Sequence, residues 1–251
     1  MDNSIYKFKS FLLDVLFPKF CLGCQKEGTY LCDDCRALLD IAEFDYCLCD
    51  KKPIRLPLEQ KSGKCNRCQD LPAQAGKKLS GLFSALPYKE KALTRKLIYQ
   101  FKYQPYLKDL AKTLASILIE HFVISGKNTE EIWENGILIP VPLDKSRIKA
   151  RGYNQAEELA KELSKVLLIP VISDNLIKIK STKSQMELTK EKRERNLQNA
   201  FAIKNPAELA DKKIFLVDDV YTTGSTMQEC ARVLRDAGAK QVWGIVIARE
   251  E

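Results

Sequence analysis

The sequence lacks any apolar run long enough to span a bilayer, which argues against a protein anchored by membrane-spanning helices. It also lacks the small-residue cleavage site of a signal peptide, and its N-terminal stretch, residues 5–20, is interrupted by four charged side chains. We interpret that stretch as an amphipathic helix packed on its own domain, in preference to a membrane anchor. These absences predict a cytoplasmic protein with no stable membrane insertion.

Histidine is also scarce, because His121 is the only one. It falls near the end of a predicted helix, where a capping or surface role is expected rather than catalysis. The 251 residues, 45% hydrophobic and 29% charged, are ordinary for a globular protein with one large core or two smaller domains. The net charge of +8 favours an anionic partner, which leaves nucleic acid, phosphate-rich ligands and membrane surfaces open.

Cysteine is abundant, and eight of the nine cysteines lie between positions 21 and 68. Without an export signal, such a cluster favours metal binding over a disulfide framework. Two CxxC pairs lie close together, and four thiolates complete a tetrahedral zinc site. The predicted ligands of this first zinc are Cys21, Cys24, Cys32 and Cys35.

A second cysteine set combines a CxC pair with a CxxC pair: Cys47, Cys49, Cys65 and Cys68. The CxC spacing is one residue tighter than usual, so the sequence predicts one or two structural zincs. Residues 71–79 have the composition of a linker. We therefore predict a zinc-ribbon module with its N-terminal helix at 1–75, which docks a partner or nucleic acid, and a second domain at 76–251.

The most informative stretch of that second domain is residues 213–226, KIFLVDDVYTTGST. Its apolar run predicts a buried parallel strand, which ends in Asp218 and Asp219. A turn rich in hydroxyl groups and containing Gly224 follows, and then a helix predicted to end at Gly238. The order is therefore strand, acidic pair, turn and helix.

This order has the chemistry of a ribose 5-phosphate site. The N–H groups at a helix start attract phosphate, and a glycine there lets the backbone approach closely. The two carboxylates are suited to two sugar hydroxyls or to hydrated Mg²⁺. The alternative is an ordinary strand–turn–helix with its acidic residues at a solvated strand end.

Other segments predict an α/β fold with a parallel sheet flanked by helices. Residues 81–87, 137–141 and 242–248 are further strand candidates, and 89–120 is helical with a break near Pro105. A clean apolar stripe predicts a helix that begins after Asn154, which has the position of an N-cap.

Basic residues cluster in three places. A predicted loop after the second strand carries Lys145, Arg147, Lys149 and Arg151, placed to hold pyrophosphate. Around residues 96–108 lysines such as Lys102 alternate with aromatic residues such as Tyr103. These residues could bind a single nucleic acid strand, with the rings stacking on bases and the lysines neutralising phosphates. Alternatively, half of the rings belong to the core and the lysines are simply solvated. The third cluster, at 177–201, is either a solvated face or a mobile loop that closes on a ligand. Its Arg193 is grouped with the candidates for pyrophosphate binding, and its Lys178 and Lys180 are candidates to guide nucleic acid.

Residues 213–226 closely resemble the phosphoribosyl-pyrophosphate (PRPP) motif of type I phosphoribosyltransferases. With IPVPL, RGYNQAEELA and the spaced Gln185, Leu188, Arg193 and Asn196, the chain resembles the ComF family, phosphoribosyltransferase-like proteins linked to DNA uptake in natural transformation. The resemblance implies that Asp218 and Asp219 meet the ribose hydroxyls, with Mg²⁺ accompanying PRPP. It implies a 5-phosphate cradle made of Thr222, Thr223, Gly224, Ser225 and Thr226. It also implies a double zinc ribbon.

Two functions remain open from the sequence. One is a protein that binds PRPP and handles single-stranded DNA with a helicase-like competence partner. The other is an active phosphoribosyltransferase that uses an unidentified nitrogen acceptor. Thr222 stands where some purine-handling relatives have an aspartate, and no catalytic acid or base is identified. The chain lacks a recognisable N-terminal glutaminase cysteine, which argues against amidophosphoribosyltransferase activity. It also lacks a recognisable helix-turn-helix, which argues against a PRPP-sensing transcriptional regulator.

Overall fold

The computed structural model describes residues 18–43, 45–48, 54–56, 79–89, 92–103, 107–127, 130–180 and 197–250. The strands are β1 (Asp45–Cys47), β2 (Ile54–Leu56), β3 (Gly81–Pro87), β4 (Gly136–Pro140), β5 (Leu176–Lys178), β6 (Phe201–Ile203), β7 (Lys213–Tyr221) and β8 (Gln241–Arg249). The helices are α1 (Asp33–Ala37), α2 (Leu93–Lys102), α3 (Leu110–Ile124), α4 (Glu130–Trp133), α5 (Lys145–Arg151), α6 (Gln155–Leu167) and α7 (Ser225–Asp236).

The central sheet has six strands in the order β2-β1-β3-β8-β7-β4. Its four strands β3, β8, β7 and β4 run parallel, and β1 and β2 add an antiparallel hairpin at one edge. Strands β5 and β6 form a separate antiparallel pair. The predicted α/β fold with a largely parallel sheet and flanking helices is confirmed.

The parallel strands are buried on both faces, as their continuous apolar sequences predict. Alternate residues point to opposite sides. On one side Phe215 and Val217 share a core with α2, α3 and α6. On the other side Ile214 and Leu216 pack with α7 and with the β5–β6 pair. The sheet is therefore the middle of three layers.

The cysteine-rich segment packs against this same body. Tyr46 of β1 pairs with Leu82 of β3, so the hairpin continues the sheet. Cys21, Cys32 and Cys35 belong to the core that contains α3. The predicted boundary at residue 75 lies outside the described residues, and the division into 1–75 and 76–251 stays a prediction. Within the described segments, no helix has the length and apolar character needed to cross a bilayer.

Three expectations need correction. Strand β7 does not end at the acidic pair but continues through Tyr221, because Val220 and Tyr221 still pair with β8. The basic loop is helix α5, which ends at Gly152 in the left-handed conformation. The surface role expected for His121 is wrong. This side chain is fully buried, since the N-terminal segment covers α3 and Ala42 O lies 2.6 Å from His121 Nδ1.

Candidate functional site

A cavity of about 690 Å³ opens at the carboxyl ends of all four parallel strands. Tyr88 and Glu250 follow β3 and β8, Val141 follows β4, and the acidic pair lies near the end of β7. The whole of the predicted turn, Thr222–Thr226, also lines the cavity. Ligands of open α/β sheets bind at this position, outside the carboxyl ends of the strands.

The acidic pair is paired with a lysine from a distant part of the chain. Lys102 Nζ lies 2.8 Å from Asp219 Oδ1, and the two side chains are 25% and 8% exposed. The Asp219 N–H also donates to Asp218 Oδ1 at 2.8 Å. Burial alone would lower the pKa of Lys102, but the charges of Asp219 and Asp218 outweigh it and raise that pKa.

Asp218 is a strongly perturbed carboxyl group. Burial, followed by the charge of Asp219, raises the pKa of Asp218 to about 8, although Lys102 acts in the opposite direction. Near neutral pH Asp218 is therefore mostly protonated, and it lies directly beside Asp219. Together they offer one donor and several acceptors to a ligand hydroxyl. Strongly perturbed carboxyl groups in a cleft are typical of functional sites.

The turn after β7 has room for glycine alone at one position. Gly224 has φ +74°, and a Cβ there would overlap the hydroxyl end of the Tyr221 side chain. Gly224 is also the residue from which α7 begins, and its carbonyl accepts from Gln228 N at 2.8 Å. The start of a 12-residue helix therefore faces the cavity with hydroxyl side chains around it, among them Thr223 and Ser225, whose oxygens lie 3.0 Å apart. These features suit a phosphate.

Cationic side chains also line the cavity. Among them are Arg147 and Arg151 of α5 and Lys178 of β5. Lys178 is 2.9 Å from Asp144 Oδ2 in a pair that is about nine-tenths buried at both ends. This pair joins the β5–β6 hairpin to the segment that leads into α5.

Helix α6 fixes the position of Lys102. Tyr153 Oη and Gln155 Nε2 both donate to the Phe101 carbonyl, at 2.7 and 3.2 Å. Asn154 caps α6 as predicted, accepting from Ala156 N, and its amide nitrogen donates to Val141 O at 3.0 Å. The YNQ sequence thus ties the end of α2 to the end of β4, beside the acidic pair.

Most, but not all, of the predicted binding residues line the cavity. The acidic pair, the turn, Arg147, Arg151, Lys102, Tyr103 and Lys178 come together at the cavity. Lys145 is on the exposed side of α5, Lys180 is exposed near Gln198 O, and Arg193 lies outside the described residues. Sequence reasoning missed Asp144 and the contacts of Lys102, because the partners of each pair are far apart in the chain.

The four predicted first-zinc ligands also come together. The sulfurs of Cys21, Cys24, Cys32 and Cys35 all lie within 4.8 Å of one another. Sulfurs of a tetrahedral zinc site, with bonds of about 2.3 Å, are about 3.8 Å apart. The cluster therefore fits zinc. Of the second predicted set, Cys47 is buried in β1, while Cys49, Cys65 and Cys68 lie outside the described residues.

The backbone around Cys21 favours its thiolate form. Burial opposes ionisation of Cys21, but backbone hydrogen bonds from Cys24, Cys32 and Gly23 together lower the pKa of Cys21 to about 6. Gly23 is required for this arrangement, since a Cβ there would lie 2.5 Å from Cys35 Sγ. A thiolate that is stabilised before metal arrives is a good zinc ligand.

Comparison with known proteins agrees with this geometry. The Phosphoribosyl transferase domain family matches residues 148–250, which contain the acidic pair, the turn and α7. Competence protein F of Haemophilus influenzae is 39% identical over 155 residues, covering 61% of this chain and 67% of that protein. The chain belongs to the ComF family.

Two further relatives extend the match. DNA utilization protein YhgH of Salmonella typhimurium is 29% identical over 230 residues, 85% of this chain and 95% of that protein. Competence protein ComFC of Bacillus subtilis is 34% identical over 102 residues, 41% of this chain and 39% of that protein. The ComF resemblance drawn from the motifs is confirmed, and the chain contains a phosphoribosyltransferase-like domain.

Proposed function

We propose that the cavity binds PRPP and that the protein handles single-stranded DNA during natural transformation, together with a helicase-like partner. The observation that carries the PRPP part is the convergence of the acidic pair, the glycine turn and the start of α7 in one cavity. A ribose 5-phosphate offers the two matching groups, a diol and a phosphate.

In this proposal each wall of the cavity has its own task. Asp218 and Asp219 accept the ribose hydroxyls, and the turn Thr222–Thr226 binds the 5-phosphate through N–H and O–H donors. Arg147 and Arg151 neutralise the pyrophosphate, for which guanidinium groups are suited. Mg²⁺ would supply further positive charge to the pyrophosphate when PRPP is bound.

The DNA part of the proposal is supported by the relatives and by charge. Relatives carry the names Competence protein F and DNA utilization protein. The net charge of +8 favours a polyanion, and the cysteine cluster fits a zinc ribbon, which is suited to docking a partner. Deletion of the gene in a transformable host should reduce uptake of external DNA.

The second candidate is a working phosphoribosyltransferase. One observation favours it: a carboxyl group whose pKa is about 8 lies in the cavity and is suited to proton transfer near neutral pH. Transfer to a nitrogen nucleophile would form the N–C1 bond, break the C1–O bond to pyrophosphate and release one proton from the nucleophile. The acceptor is not identified by any group in the described lining of the cavity.

A pyrophosphate-release assay separates the two candidates. The protein is incubated with PRPP, Mg²⁺ and a panel of nucleobases, and DNA binding is measured on the same preparation. A DNA-handling protein should bind a single-stranded oligonucleotide with an affinity that falls steeply with salt, and release no pyrophosphate above background. Turnover with any base, combined with no binding to DNA, would replace the first candidate with the second.

A further inference from the structure

Two neighbouring tyrosines with tilted rings are exposed at the end of α2. Tyr99 and Tyr103 are 53% and 40% exposed, while Leu97, Ile98 and Phe101 of the same helix are buried. The ring centroids of the tyrosines are 4.8 Å apart and the ring planes meet at 36°. Of these rings Phe101 is therefore part of the core, while the two tyrosines face solvent.

Positive charge borders the tyrosine pair. The Arg151 guanidinium lies over the Tyr103 ring, 5.5 Å from its centroid. Arg95 and Lys96 are exposed, three to four residues before Tyr99, and therefore lie on the same side of the helix. The surface thus combines flat rings with cations at its edge.

This surface is continuous with the cavity. Tyr103 and Arg151 both line it, and Lys102, the neighbour of Tyr103, contacts the acidic pair. A nucleic acid strand lying on the tyrosines would therefore pass the mouth of the proposed PRPP site.

We propose that Tyr99, Tyr103 and Arg151 form a stacking shelf that binds consecutive bases of single-stranded DNA. The proposal rests on the DNA-handling function proposed above and names the surface responsible for it. Aromatic rings beside a basic track bind single strands of any sequence, because every base has a π face. Arg95 and Lys96 are placed to meet the phosphates.

Single-stranded DNA fits this shelf better than duplex or a free base. The bases of a duplex are already stacked on each other and do not offer a free face to a protein ring. A free nucleobase is normally enclosed in a pocket that buries most of its surface, whereas these rings are about half exposed.

The test uses the full-length protein and oligonucleotides that contain 2-aminopurine, whose fluorescence is quenched by stacking. Tyr99→Leu and Tyr103→Leu should each weaken binding to the single strand about tenfold and remove much of the quenching, since stacking contributes about 1–3 kcal/mol per base. Tyr99→Phe and Tyr103→Phe should bind as the wild type does. An oligonucleotide with abasic sites at the stacked positions should bind the wild type and the Leu variants alike.

PRPP titration of Tyr99→Leu serves as the control for folding, because Tyr99 does not line the cavity in the described part of the chain. If the wild type binds DNA and both Leu variants show the same affinity and quenching as the wild type, the proposed shelf is wrong. The DNA-handling function would then still stand. A wild type that binds no single-stranded DNA would overturn the DNA-handling function as well. Equal binding of duplex, or tight binding of a free base to the shelf, would also contradict the proposal.

Discussion

At the scale of single residues, the cavity depends on a position where only glycine fits. Gly224 combines a left-handed backbone with contact to the Tyr221 ring, so a side chain there meets both backbone strain and a steric clash. Gly126 has a similar φ of +65°, but among the described residues no atom lies within 4 Å of the position that a Cβ would take. Comparing the two glycines therefore separates the cost of the left-handed backbone from the cost of the clash with Tyr221.

We expect Gly224→Ala to lower the free energy of unfolding by about 2–4 kcal/mol and to abolish PRPP binding, since the Tyr221 ring must move into the cavity. Gly126→Ala should cost only about 1–2 kcal/mol and leave PRPP binding intact. Urea denaturation and PRPP titration of both variants measure these effects. Similar behaviour of the two variants would show that the clash with Tyr221 is unimportant.

We expect Asp218 to make the stability of the folded protein depend on pH. Burial and the neighbouring charge of Asp219 raise its pKa from 3.8 to about 8 in the folded protein. A group with a raised folded pKa contributes stability that is complete below its unfolded pKa and is lost as the pH rises through the folded value. Stability attributable to Asp218 should therefore fall between about pH 4 and about pH 8.

Asp218→Asn should remove this slope, which is at most about 1.4 kcal/mol per pH unit, and should be more stable than the wild type at about pH 9. Asp236→Asn is the matched control, since Asp236 is half exposed and pairs with Arg232 on α7. Urea denaturation from about pH 5 to about pH 9 provides the measurement. An unchanged slope in Asp218→Asn would mean that this carboxyl ionises normally.

The Lys102–Asp219 ion pair gives a third test at this scale. Lys102→Met leaves a carboxylate buried without its cation and should cost about 2 kcal/mol or more, less than a fully buried pair because Lys102 keeps some contact with water. Lys108→Met breaks the more exposed pair with Glu158 and should cost less than about 1 kcal/mol. Urea denaturation of both variants measures the loss in free energy of unfolding. Equal losses in Lys102→Met and Lys108→Met would contradict the prediction that the more buried ion pair contributes more.

At the scale of elements, the sequence predicted the features whose residues lie close together in the chain. Apolar runs predicted β3, β4, β7 and β8, the stripe after Asn154 predicted α6, and the two CxxC pairs predicted the cysteine cluster. The acidic pair and the turn share one strand and one helix start, so their juxtaposition followed directly from their order. These features account for the fold class and for one side of the cavity.

Long-range contacts were not predictable in this way. Lys102 is more than a hundred positions before Asp219, and Lys178 is 34 positions after Asp144. Nothing in the local pattern of either lysine indicates its partner. The burial of His121 follows likewise from the N-terminal segment, whose Ala42 packs against α3 from 79 positions away. Pairs of this kind depend on how whole elements pack.

The cysteine cluster gives a prediction for the N-terminal elements. Zinc analysis of the purified protein should return one to two zincs per chain, and Cys21→Ser with Cys24→Ser should remove one of them. Because Cys32 and Cys35 share a core with α3, that variant should also unfold at a lower temperature. Cys230→Ala, on α7, should lose stability but no zinc. Full zinc content in the double variant would refute the proposed ligands.

At the scale of the whole molecule, the sheet brings several distant chain segments to one opening. The ends of β3 and α2 supply Tyr88 and Lys102, the β4–α5 segment supplies the arginines, and β7–α7 supplies the acidic pair with its turn. The antiparallel hairpin extends the same sheet beside β3, and the cysteine cluster packs in the core that contains α3. The proposed PRPP site and the proposed stacking shelf therefore belong to one continuous surface.

Isothermal titration of PRPP in Mg²⁺ into the wild type and into Asp218→Ala with Asp219→Ala tests the central claim most directly. The account predicts one PRPP per wild-type chain and an affinity at least about 100-fold weaker in the double variant, because the hydrogen bonds of both carboxyl groups to the ribose hydroxyls are lost. Asp236→Ala should bind as the wild type does. Equal affinity in the double variant, or no heat of binding in the wild type, would contradict a ribose-phosphate site at this cavity.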